Sequence, residues 1–77
     1  MNKENFIELF EELLEKDENT IKMGDKFRNY VEWDSLAFLS AGAMINEEYD
    51  VVIPRKEFDK LITVGELYDY INKKFKG

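Results

Sequence analysis

Trp33–Phe58, WDSLAFLSAGAMINEEYDVVIPRKEF, is the stretch from which the rest of the chain can be read. Asp34 and Ser35 each offer a side-chain oxygen to the free amides of a first helical turn, so a helix is expected over 35–49. Its expected buried side is Leu36, Leu39, Gly42, Ala43, Ile45 and Tyr49. A glycine in mid-helix costs about 1 kcal/mol against alanine, and Gly42 therefore suggests a close approach by a neighbouring element. Val51, Val52 and Ile53 favour a strand by propensity. A lone strand has nothing to pair with, so they read as an extended link. Pro54, tolerated at a first helical position, then opens a short helix over 54–60.

Working outward, residues 3–16 set Phe6, Ile7, Phe10, Leu13 and Leu14 on one helical face, with Glu4, Glu8, Glu11, Glu12 and Glu15 opposite, as a solvated surface. Between Asp17 and Trp33 the period breaks, with Gly24 and Asp25 as a turn signal. A connection this long needs pinning, which falls to Ile21, Met23, Phe27 and Val31, with a short helical turn around Lys26–Tyr30. Thr63 and Glu66 have capping-box spacing. A last helix over 64–74 follows, burying Val64, Leu67, Tyr68, Ile71 and Phe75. The expected fold is all-α: one domain over 1–77, a small bundle of three main helices with a short third one and a long loop between the first two.

A chain of 77 residues buries only about 60% of the surface its unfolded form exposes, which leaves little room for a catalytic pocket. Its 44% apolar and 36% charged residues suit a globule rather than a disordered tail. Without cysteine the core holds the fold unaided, as suits a reducing, cytoplasmic setting. The apolar runs are far too short for membrane insertion. The 17 acids against 11 bases give a net charge of −6, which disfavours nucleic acid and favours a protein with a basic patch.

With no histidine and no cysteine, the commonest general base and the usual zinc ligands are missing. Phosphate-cradling glycine loops and calcium-loop spacings are missing too. No catalytic and no metal-binding residue is expected. What remains is Ser35, at a helix start where unpaired amides and the helix dipole suit a negatively charged ester. Taken alone, Asp34-Ser35-Leu36 reads better as a helix cap, the more common use of either residue.

The order of motifs decides between these. Asp34-Ser35-Leu36, Glu47-Glu48-Tyr49, Ile53-Pro54 and Thr63-Val64 fall, without an insertion, on the pattern of the acyl carrier protein family, which the chain resembles over nearly its whole length. The resemblance implies that Ser35 receives 4′-phosphopantetheine from coenzyme A, with Asp34 and Leu36 as part of the motif read by a phosphopantetheinyl transferase. It further implies a monomeric carrier, not an enzyme, that presents an acyl group as a thioester to loading and transferring enzymes. An aminoacyl cargo, or an unmodified adaptor with the same fold, are the alternatives. A cargo cleft, if present, would be lined by Leu39, Ala43, Ile45, Ile62 and Leu67, residues whose helical spacing is otherwise explained by an ordinary core.

The chain departs from the family in its second helix, which is less acidic than is typical of fatty-acid carriers. Ala37, Phe38, Ser40, Ala41 and Asn46 lie along it, with Glu47 and Glu48 as the remaining acids. Arg55 and Lys56 make the third helix more basic. Trp33 stands where a small residue is common; it reads either as stacking over the loop or as anchoring a partner, and Phe38 likewise either as structure or as an exposed contact beside the arm. Trp33, Phe38, Glu47 and Glu48 are thus the candidate partner-binding residues of a carrier in a specialised pathway.

Overall fold

The computed structural model describes residues 2–75. Four α-helices follow one another: α1 (Lys3–Leu13), α2 (Ser35–Tyr49), α3 (Arg55–Phe58) and α4 (Val64–Lys74), with a 3-10 turn at Phe27–Asn29. Among the described residues there is no strand, and Val51–Ile53 is an extended link. No described helix is long and apolar enough to cross a membrane.

α1 begins where the Asn2 side chain accepts from the Asn5 amide at 3.0 Å. It stops at Leu13, short of the expected 16, because Glu15 turns left-handed (φ 58°). The Glu15 amide then donates to the Glu12 carbonyl and the Lys16 amide to the Glu11 carbonyl. These two bonds close the helix in a Schellman motif, with glutamate where glycine is usual. α3 is also shorter than 54–60. Pro54 (ψ 145°) is its extended N-cap, not its first helical residue. Beyond Phe58 the chain tightens, the Lys60 and Leu61 amides donating to the Glu57 and Phe58 carbonyls three residues back. At α4 the capping box forms as the spacing predicts: Thr63 Oγ1 accepts from the Glu66 amide, and Glu66 Oε1 from the Thr63 amide.

The core is built from Phe6 and Phe10 of α1, Ile45 of α2, Val64, Leu67 and Ile71 of α4, and Ile21 and Phe27 of the long loop, all fully buried. α2 presents to it a face that matches the expected one only in part. Ile45 and Tyr49 point inward as expected, together with Ala37 and Ala41, whereas Gly42 and Ala43 are exposed and Leu36 and Leu39 are 71% and 64% exposed. Volume explains the exchange. α1 fills the shared space with stacked phenyl rings (Phe6 and Phe10, centroids 5.9 Å apart), so the first half of α2 approaches along the small side chains of Ala37 and Ala41.

Glu11 also departs from expectation, being buried rather than solvated. Its Oε2 accepts the Thr20 and Ile21 amides at 3.0 and 3.1 Å, fixing the start of the long loop. Farther along, the Val64 and Gly65 amides donate to the Asp25 and Met23 carbonyls. Ile21 and Phe27 are the buried plugs and Met23 is half-buried, but Val31 is 98% exposed and pins nothing. The close approach expected at Gly42 lies elsewhere too. Nothing is within 4 Å of a Cβ built at Gly42, whereas one at Gly65 would lie 3.1 Å from the Met23 carbonyl oxygen.

Candidate functional site

The start of α2 is set by Asp34. Its backbone is extended and its Oδ1 accepts the Ala37 amide at 2.7 Å, which satisfies one of the free first-turn amides. With Asp34 acting as the cap, Ser35 becomes the first helical residue. It is exposed, and among the described residues its hydroxyl makes no hydrogen bond.

Aromatic packing builds the wall beside it. Trp33 is half-buried, its ring stacked on Phe58 (6.2 Å between centroids, 6° between planes) and set edge-on to Phe27 at 5.0 Å. Phe38 meets Phe58 edge-to-face at 4.9 Å, and the Arg55 guanidinium lies 4.6 Å from the Phe38 ring centre, a cation–π arrangement. Phe38 is thus a half-buried wall residue, the structural one of its two expected roles. The four-residue α3 is too short to stand alone. Arg28 holds it by donating to the Phe58 carbonyl at 2.7 Å and to the Leu61 carbonyl.

Together these groups enclose a cleft of about 390 Å³ lined by Ser35, Asp34, Trp33, Phe38, Leu39, Phe58, Arg28, Arg55 and Asp59. Of the candidate attachment and partner-binding residues, Trp33, Asp34, Ser35 and Phe38 meet here, with Leu39 of the expected cargo cleft beside them. Leu36 is exposed outside the lining, and Glu47 and Glu48 are exposed near the far end of α2. The missed participants are Arg28, Phe58 and Asp59, with Arg55 noticed only as a charge. No local pattern marks them, since the contacts of Arg28 with α3 and the turn after it span 30 and 33 residues.

Phe38, Leu39 and Phe58 also border a second, mostly apolar cleft of about 310 Å³ between α2 and the Val51–Ile53 link. Leu39, Ala43 and Ile45 line it, as expected of a cargo cleft. Ile62 and Leu67 do not. Ile62 is half exposed, and Leu67 is sealed in the core by the inward face of α4.

A family model described as a phosphopantetheine attachment site matches residues 4–71. The chain belongs to this family. It is a phosphopantetheine-binding carrier domain of acyl-carrier-protein type, and its prosthetic group is covalent 4′-phosphopantetheine. Such carriers work with a phosphopantetheinyl transferase and with biosynthetic enzymes. The described residues of this carrier fit the group. An exposed hydroxyl free of hydrogen bonds borders a cleft whose lining also includes Arg28 and Arg55 beside the carboxylates of Asp34 and Asp59, so a phosphodiester there would have guanidinium groups within the same cleft.

Proposed function

We propose that this carrier bears its phosphopantetheine on Ser35 and presents an acyl group to partner enzymes. The observation behind this reading is the free, exposed Ser35 hydroxyl at the mouth of a cleft that adjoins a second, apolar one through Phe38, Leu39 and Phe58. Attached there, the arm supplies a terminal thiol that holds the cargo as a thioester. The chain itself positions and shelters. Asp34 fixes the first turn of α2 and so the direction of the serine, and the aromatic wall keeps that turn rigid against α3. Leu39, Ala43 and Ile45 offer apolar surface to an acyl cargo. Tethering then raises the cargo's effective concentration at a docked partner's active site.

In this reading Asp34 and Leu36 complete the motif met by the transferase, and Glu47 and Glu48 face basic partners. Trp33 and Phe38 act from the cleft wall, as the rigid ground on which docking takes place. The carrier works as a cytoplasmic monomer, and no reaction is assigned to its own side chains. Incubation with coenzyme A and a broad-specificity phosphopantetheinyl transferase, followed by intact mass measurement, tests the attachment. Wild type is expected to gain one arm and Ser35→Ala none. An unmodified wild type beside a fully loaded control carrier, or an arm that persists in Ser35→Ala, refutes it.

A further inference from the structure

Two arginines border the Ser35 cleft, and their circumstances differ. Arg28 is committed: two of its donors are spent on the Phe58 and Leu61 carbonyls, and its side chain is only 34% exposed. Arg55 is 72% exposed, and its ion pair is with the exposed Asp59 carboxylate at 3.2 Å. Pairs of this kind hold weakly. The Phe38 ring, 4.6 Å from its guanidinium carbon, gives Arg55 a second contact that does not depend on Asp59. Phe38 follows Ser35 by three positions on α2 and so shares its helical face.

A cation is therefore held over the face of α2 that carries the modifiable hydroxyl, and its present partner can be exchanged. A phosphodiester offers a guanidinium fork two acceptor oxygens. We infer that Arg55 is a positioning residue for the phosphodiester on Ser35, giving up Asp59 to pair with it while Phe38 keeps the guanidinium in place. Arg28 stays on its carbonyls and holds α3 still. The inference rests on Ser35 being the attachment site. Its effect is to restrict the root of an otherwise flexible arm, favouring exit along the cleft instead of free rotation about the serine.

The test uses wild-type protein labelled with ¹⁵N-arginine, observed before and after loading with coenzyme A and transferase, with intact mass confirming the arm on Ser35. The Arg55 Nε–H resonance, assigned by its absence in Arg55→Lys, is expected to shift on loading. The ³¹P resonance of the loaded protein is expected to move in Arg55→Ala, to return part of the way in Arg55→Lys, and to stay at its wild-type position in Lys56→Ala, which removes a neighbouring charge outside the cleft lining. An unmoved Arg55 Nε–H in fully loaded wild type overturns the inference, as does a ³¹P resonance identical in wild type and Arg55→Ala. If Arg55→Ala does not fold or load, the wild-type Nε–H measurement decides alone. If mass shows no arm on Ser35, the attachment reading has failed and the inference falls with it.

Discussion

Replacing Glu11 by alanine should be among the most damaging single changes in this protein. The carboxylate is 4% exposed, and one of its oxygens accepts both the Thr20 and Ile21 amides. Hydrogen bonds to a charged partner contribute about 1.5–3 kcal/mol each, and an orphaned buried donor costs about 1–3 kcal/mol. Because both bonds fall on one oxygen and Thr20 is exposed, the lower ends apply, giving a loss of about 2–4 kcal/mol for Glu11→Ala. In a domain of this size that lowers Tm by about 10–25 °C. Glu11→Gln keeps a neutral acceptor and should lose about half as much. Glu12→Ala, the same change at the exposed neighbour, should stay within about 0.5 kcal/mol of wild type. Urea melts of the three variants measure the differences. Equal stabilities for Glu11→Ala and Glu12→Ala would refute the clamp, and a Gln variant as damaged as the Ala variant would refute the share assigned to the charge.

Further outcomes follow from two glycines and from one hydrogen-bonded pair. Gly42→Ala should raise stability by about 0.5–1 kcal/mol, since the new methyl meets nothing within 4 Å and the helix gains propensity; Gly65→Ala should lower it, because the Met23 carbonyl in its way is tied to the Gly65 amide at 2.8 Å, and thermal melts of both rank them. The Asp25–Tyr30 hydrogen bond of 2.8 Å should make stability depend on pH at both ends. The Lys22 amide, then the Tyr30 hydroxyl, hold the Asp25 carboxyl below its ordinary 3.8, so its contribution is full above about pH 4 and disappears as pH falls through the lowered value. Burial, then Asp25, push the Tyr30 phenol above its ordinary 10.0, so its contribution is full below about pH 10 and is lost as pH rises toward the raised value. Urea melts across pH should show a flatter acid limb in Asp25→Asn and a flatter alkaline limb in Tyr30→Phe.

Legibility in the sequence followed the strength of local constraints. α1 and α4 show a clean 3.6-residue alternation of apolar and charged residues, and Thr63 and Glu66 satisfy each other within one turn, so their positions were readable. α2 is apolar around much of its circumference, and periodicity could not choose a face. The choice was made by the phenyl rings of α1, which admit Ala37 and Ala41 and turn Leu36 and Leu39 out to solvent. The burial of Glu11 is hidden in the sequence for a related reason. A glutamate among glutamates looks solvated, and what buries it is the need of two loop amides for an acceptor, a demand invisible until the loop is folded. The proposal of Ser35 rests on the order of motifs spread over the chain, because its tripeptide alone reads as a helix cap. The guanidinium groups beside it belong to a loop and to α3, and only tertiary packing brings them to the same cleft.

Trp33 is the chain's one tryptophan, and it sits stacked on Phe58 in the wall of the Ser35 cleft. The protein therefore contains its own optical reporter at the place where modification and docking are proposed. Its emission comes entirely from that wall, with no second indole to dilute it, so events at Ser35 can be followed in unlabelled protein and in real time.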